Sequence, residues 1–294
     1  MRSKVFITGA TGGLGKAFAV DCARRGWDLF LTDLHQDKLE AIALGVKRAY
    51  GVEVVCRACD LTDPVSRAAL FQSIRSGRMR FRGLINVAGG DFEGLFRERE
   101  PDQLRTILRL NIEATLEVTH AVLEWTDPLE PFRIITVSSL AAFFPMPVKA
   151  TYAASKRFLL DFSLALRDEV ERLGATVTVL CPAGLPTSDV CIEAIEAQGL
   201  MGHLTTQNVG RVAARTVDHA LTGHAVYVPG FLNRSMLLLS RLVPAASVST
   251  LIGRRWRAAH RHRANAAVRG SQLLISRDGK AEGSSLPEDS LVGV

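Results

Sequence analysis

The chain predicts an α/β fold, a parallel sheet covered by helices on both faces. Two observations carry this: seven apolar runs of strand length recur along its 294 residues, and helix-length segments separate them. Strand, helix, strand at this spacing calls for right-handed crossovers that bring each strand back parallel to the last.

The apolar runs cover residues 4–8 (KVFIT), 28–32 (DLFLT), 52–56 (VEVVC), 83–86 (GLIN), 132–138 (FRIITVS), 175–180 (ATVTVL) and 225–229 (AVYVP). They lack polar alternation, as strands buried on both faces do. The helical segments run over 13–25, 36–49, 64–75, 101–125, 151–172 and 207–221. Asp63 before Pro64 supplies a cap and a first-turn proline, Glu100 before Pro101 repeats the proline start, and Gly174 offers a C-terminal stop. Within 151–172, Phe158, Leu159, Phe162, Leu166 and Val170 recur at helical spacing, so that helix is expected to bury one side.

With 47% apolar residues the chain can bury a full core, and no repeat or second glycine loop divides it. One catalytic domain over 1–231 is expected, then a helical basic extension over 232–270 packed on it and a disordered tail over 279–294. Only the short stretch Val5–Thr8 precedes the first glycines, too short for a signal-peptide core or a spanning helix, so a cytoplasmic protein is expected. Five scattered cysteines do not read as a disulfide scaffold. Cys56 and Cys59 have CxxC spacing without a second pair or a histidine cluster, so they read as ordinary thiols and no metal is expected.

The formal net charge is +6, and six arginines without an acid fall within Arg254–Arg269. The charge therefore belongs to a C-terminal segment on an otherwise neutral body. Residues 232–252 carry the apolar run Met236, Leu237, Leu238 and Leu239, broken by Arg234, Arg241 and Pro244. Two short helices covering the pocket or a subunit contact are the first reading, and an interfacial anchor for anionic lipid, aided by Trp256, is the second. No groove-reading motif or aromatic platform accompanies the arginines, so no nucleic-acid partner is expected.

Gly9, Gly13 and Gly15 follow the first strand directly and open the next helix. Small residues there let the backbone approach a pyrophosphate at a helix N-terminus, and the sheet becomes a Rossmann-type doubly wound one. Asp33 stands at the end of the second strand, 18 residues beyond Gly15. A carboxylate there accepts bonds from a ribose diol and repels a 2'-phosphate, while Thr11, Gly12 and Leu34 provide no cation, so NAD is favoured over NADP. Asp60, after the third strand, is placed for the adenine amine or for a helix cap that Asp63 serves better; Leu61 follows it. Leu14 in the glycine turn, and Asn86, Ala88 and Gly89 at the end of the fourth strand, complete this mononucleotide side.

Tyr152 and Lys156 lie four residues apart, on one face of a helix, thirteen residues after Ser139. At this point the chain resembles the short-chain dehydrogenase/reductase family over about residues 4–230: TGxxxGxG is met by Thr8, Gly9, Gly13 and Gly15, and NxAG by Asn86, Ala88 and Gly89. The resemblance implies seven strands in the order 3-2-1-4-5-6-7 and a tetrad of Asn111, Ser139, Tyr152 and Lys156. It also implies that Lys156 lowers the pKa of the Tyr152 phenol and holds the nicotinamide ribose, that Ser139 polarises the substrate oxygen, and that Asn111 fixes a water. The family's PGxxxT pattern reads here Pro182, Ala183, Gly184, Leu185, Pro186, Thr187, leaving Thr187 for the nicotinamide carboxamide.

Residues 185–206 are expected to form a flap lined by Val190, Ile192, Ile195, Leu200, Met201 and Leu204. With Phe92, Phe143, Phe144 and Met146 they predict an apolar slot, and Asp91 or His203 could meet a polar end of the ligand. The reading is an NAD-dependent oxidoreductase for a hydrophobic secondary alcohol or its ketone. A silent cofactor-binding scaffold is the alternative. The resemblance further implies homodimers or homotetramers through the 101–125 and 151–172 helices.

Overall fold

The computed structural model describes residues 2–187, 191, 192, 196, 205–240 and 250. Seven parallel strands form one sheet in the order β3-β2-β1-β4-β5-β6-β7, as expected. They are β1 (Lys4–Thr8), β2 (Asp28–Asp33), β3 (Val54–Ala58), β4 (Phe81–Asn86), β5 (Arg133–Val137), β6 (Thr176–Leu180) and β7 (Val226–Tyr227). β1 is central, with Ile7 in register with Leu31 of β2 and Ile85 of β4. The seventh strand is shorter than the apolar run 225–229, pairing only through Val226 and Tyr227 at the sheet edge.

Alternate residues of β1 feed two cores, which is why the run shows no polar period. Val5 and Ile7 pack with α1 (Gly13–Arg24), α2 (Gln36–Tyr50) and the later helix α7 (Val209–Leu221). Phe6 points the other way, into a core built with α3 (Pro64–Ser76), α5 (Ala114–Leu123) and α6 (Ala150–Glu171). There Phe6 meets Phe30 edge-on at 4.8 Å and Phe81 stacked at 5.4 Å. Each such fully buried side chain contributes about 1.5–3 kcal/mol. On the first face Arg25 bridges Asp21 and Asp218 at 2.7 Å each, tying α1 to α7.

Local signals hold where predicted. Asp63 caps α3 by accepting from Val65 N and Ser66 N, with Pro64 behind it. The segment 101–125 departs from expectation: α4 (Pro101–Leu108) passes into a π-helical turn, Arg109–Glu113, before α5 begins. In α6 the expected stripe is also redistributed. Leu159 and Val170 are buried, but Phe158 is 40% exposed and stacks on Phe162 at 6.1 Å, while Ser155, Lys156, Leu160 and Ser163 face inward. The inward face is the one that carries polar site residues, so hydrophobicity alone misplaces it.

The last described helix, α8 (Phe231–Ser240), follows β7. Leu237 packs on a small core of Ala142, Leu160, Val179, Cys181 and Val228, while Phe231 and Leu238 are 81% and 66% exposed. The 279–294 tail and most of the 232–270 extension lie outside the described residues.

Candidate functional site

The C-terminal ends of β1, β4, β5 and β6 converge on one edge of the sheet. Gly9 follows β1 with φ +64°, and a Cβ there would stand 2.8 Å from Ala88 N, so the first turn is pressed against the turn after β4. Thr8 Oγ1 accepts from Val87 N and Ala88 N, both at 3.1 Å, fixing that approach. A Cβ at Gly15 would overlap the Gly9 carbonyl oxygen, and one at Gly13 would lie 2.9 Å from Thr187 Cα. Absent side chains thus leave a bare backbone cradle at the N-terminus of α1, suited to a dinucleotide pyrophosphate. Leu14 turns inward, 7% exposed.

The side where the adenosine half is expected is equally fixed. Asp33 accepts from Thr11 N through Oδ2 at 2.8 Å and from Leu34 N through Oδ1 at 2.7 Å. Leu34 is itself exposed, and Leu61 is buried in the second core. Asp60 accepts from Thr62 N at 2.8 Å and Thr62 Oγ1 at 2.7 Å, and Asp63 takes the helix cap instead.

Gly89 joins this cradle to the tetrad, since a Cβ there would lie 3.1 Å from both Asn111 Oδ1 and Lys156 Nζ. Asn111 is fully buried, accepts from Gly90 N at 2.8 Å, and donates to Gly90 O at 3.1 Å and Ser155 Oγ at 2.9 Å. Lys156 Nζ donates to Val137 O at 3.0 Å and lies 5.7 Å from the Tyr152 ring centroid. Ser139 lowers the Tyr152 phenol against the effect of burial, and its Oγ accepts from Ala141 N at 3.1 Å. Tyr152, Lys156, Ser139 and Asn111 therefore share the edge that carries the glycine turn.

The electrostatics differ from expectation. Burial pushes the Tyr152 phenol up to about 12, against a lowering by Ser139, and Asp91 raises it further. Burial also pulls the Lys156 ammonium down to about 8, with Asp91 and Cys181 acting the other way. The expected depression of the phenol by Lys156 is not seen: burial dominates, and the lowering comes from Ser139.

Several pocket expectations need revision. Asp91 forms an ion pair with Lys149, which also lies 3.4 Å from Glu93 and 5.7 Å from the Tyr152 ring, so its carboxylate is engaged by protein. Phe143 is half-buried and packs on the Leu160 and Val179 core. Phe92, Phe144 and Met146 are half-buried. Thr187 Oγ1 lies 3.5 Å from Leu185 O and 3.4 Å from Cys191 Sγ, beside the glycine turn that Gly13 brings against it. Pro182 O accepts from Leu140 N at 2.8 Å, tying the post-β6 segment to the Ser139 turn; Leu185 is buried and Gly184 exposed. Val190, Ile195, Leu200, Met201, His203 and Leu204 lie outside the described residues.

Sequence reasoning passed over Ser155, Lys149 and Val148. Ser155 sits inside the YAASK run and holds Asn111, a role its neighbours in the motif could have suggested. Val148 has φ +73°, a strained value for a β-branched residue, at the entry to α6. Among the described residues no cluster of His, Cys, Asp or Glu could hold a metal ion.

A parallel sheet whose strand ends gather a glycine cradle and a Ser, Tyr and Lys set defines a dinucleotide-binding α/β protein. The chain belongs to the short chain dehydrogenase family, whose pattern it matches over residues 3–194. It is 31% identical over 173 residues to a very-long-chain 3-oxoacyl-CoA reductase of Laccaria bicolor, covering 58% of this chain and 51% of that protein. It is 34% identical over 184 residues to a sulfoacetaldehyde reductase of Chromohalobacter salexigens, covering 62% and 72%. The chain thus spans about half the length of the 3-oxoacyl-CoA reductase it matches. A short-chain dehydrogenase from Sphingobium yanoikuyae in complex with NADPH superposes with TM-score 0.69 at 27% identity, covering 82% of this chain and 93% of that one. The site is accordingly of the NAD(P) type.

Proposed function

We propose that the protein is an NAD-dependent oxidoreductase that interconverts a hydrophobic secondary alcohol and its ketone. The observation that carries this is the joint placement of Tyr152 between Ser139 and Lys156 on the edge that holds the glycine cradle. The bound nicotinamide supplies hydride exchange with the substrate carbon. Tyr152 exchanges a proton with the substrate oxygen, and Ser139 donates to that oxygen to orient it. The Lys156 ammonium lies 5.7 Å from the Tyr152 ring, and its pull toward about 8 keeps it able to release or take up a proton near neutrality. Asn111 holds the Gly90 backbone and the Ser155 hydroxyl, which fixes the wall beside Lys156.

Phe92, Phe144 and Met146, half-buried and close in sequence to Asp91 and Ser139, support an apolar substrate, as does the 3-oxoacyl-CoA reductase among the relatives. A panel of hydrophobic secondary alcohols with each dinucleotide, read by absorbance of the reduced cofactor, tests the reading. Turnover abolished in Tyr152→Phe with dinucleotide binding retained supports it. Binding without turnover on the whole panel supports the scaffold alternative instead.

A cytoplasmic homodimer or homotetramer is part of this proposal, and exposed Leu108 on α4 and Phe158 on α6 offer the apolar faces for it. Peripheral contact with anionic lipid is proposed for α8, where Phe231, Leu238 and Leu239 are exposed ahead of the arginine-rich stretch 254–269. Among the described residues no helix is long and apolar enough to cross a membrane. Light scattering reads the oligomer, and flotation with phosphatidylserine vesicles reads the lipid contact. Equal recovery of the wild type with and without vesicles overturns the lipid contact.

A further inference from the structure

Arg67 occupies a position that calls for an apolar residue. It lies on α3 in line with Leu70 and Ile74, the other buried positions of that helix, and its own side chain is 0% exposed. Burying a guanidinium is costly unless its N–H groups find acceptors. They do so on three separate segments. Nη1 donates to the Leu61 carbonyl oxygen at 2.7 Å, Nε donates to Glu117 Oε2 at 2.7 Å, and Nη2 donates to Glu117 Oε1 at 2.9 Å and to Glu113. The two bonds to Glu117 form a planar fork, the geometry in which arginine binds carboxylate most specifically.

These partners are not arbitrary neighbours. Leu61 follows Asp60 in the turn that leads from β3 into α3, on the adenosine side of the cradle. Glu113 is the last residue of the π turn Arg109–Glu113, two residues after Asn111. A methionine or leucine at 67 would fill the same space with no polar group to satisfy, so what arginine adds is a fixed relation between two backbone segments.

We propose that Arg67 is a positioning residue that sets the Asp60–Leu61 turn and the Asn111 turn in one frame, so that the adenosine half of the dinucleotide and the catalytic wall are held in mutual register. This rests on the oxidoreductase reading for the role of Asn111, and on the dinucleotide site alone for the adenosine turn. Arg67 touches neither cofactor nor substrate; it acts through Leu61 and Glu113.

The test uses the full chain and ADP-ribose, which engages the adenosine side and needs no chemistry. Arg67→Met keeps length and volume and removes every donor. Its ADP-ribose affinity is expected to fall about tenfold, the usual scale for losing a charged hydrogen bond, with a similar fall in kcat at saturating dinucleotide. Arg67→Lys keeps the charge without the fork and falls between. Glu113→Ala removes the acceptor for Nη2 and leaves the Leu61 bond in place, so kcat drops while ADP-ribose affinity stays within about twofold, a split that general loosening of the fold would not produce. Circular dichroism and an unfolding midpoint certify each variant, and if Arg67→Met does not fold, Arg67→Lys is scored in its place. A folded Arg67→Met, or Arg67→Lys scored in its place, with wild-type ADP-ribose affinity overturns the proposal whatever its turnover. A wild type that binds ADP-ribose but turns over no alcohol counts against the oxidoreductase reading alone.

Discussion

Gly13 lies so close to Thr187 that a Cβ at position 13 would stand 2.9 Å from the threonine Cα and 3.0 Å from its carbonyl oxygen. The turn after β1 and the segment after β6 therefore meet across the strand ends, with backbone on one side and backbone on the other. Relief of that contact would require one of the two backbone segments to move as a whole.

Gly13→Ala is expected to fold, because the Thr187 segment can shift, but to weaken dinucleotide binding by about tenfold as the cradle is spread. Gly15→Ala is a harsher change, since its Cβ would overlap the Gly9 carbonyl oxygen within the same turn. Loss of soluble folded protein is expected there. Calorimetry on Gly13→Ala and circular dichroism on Gly15→Ala read the two outcomes, and wild-type affinity in Gly13→Ala would show that the contact does not shape the site.

On the NAD reading, Asp33 is the residue that separates the two dinucleotides. Both of its carboxylate oxygens accept backbone N–H groups, which fixes the carboxylate at the end of β2, where that reading puts the ribose. A 2'-phosphate would meet like charge, so NAD is expected to be used at least about tenfold better than NADP in kcat/KM. Asp33→Ser removes the repulsion and should narrow or reverse that ratio. Equal use of both cofactors by the wild type would sink the NAD assignment, and the NADPH-bound Sphingobium structure makes this comparison worth running first.

The strands were legible because burial on both faces turns each into an uninterrupted apolar run, and the cradle because glycines there answer to backbone contacts as tight as that between position 9 and Ala88. The π turn around Asn111 was not, since one extra residue in a helix leaves the hydrophobic period nearly intact. The inward face of α6 was misread because Ser155, Lys156 and Ser163 turn inward while Phe158 remains exposed. Lys149 and Arg67 were illegible for another reason. Their partners lie 58 residues away for Asp91 and 46 and 50 away for Glu113 and Glu117, and no local pattern announces such a pairing.

Lys156 gives a pH signature in the protein without dinucleotide. Its folded pKa is pulled from 10.5 to about 8 by burial, so below pH 8 the folded state holds a proton it would sooner lose. That mismatch costs about 3 kcal/mol at neutral pH. Between pH 8 and 10.5 the unfolded chain binds the proton and the folded one does not, so stability contributed by this group rises with pH through that window. Tyr152 acts in the opposite sense at higher pH, because its folded value of about 12 exceeds the ordinary 10.0 and stability falls as pH climbs between them. Lys156→Met removes the first effect and keeps the second. Urea unfolding of both proteins from pH 7 to 10 should therefore show the wild type gaining on the variant as pH rises, by a few kcal/mol over the range. A difference that stays flat would mean the ammonium is not destabilised by its surroundings, and the proton-exchange role given to Lys156 would lose its physical basis.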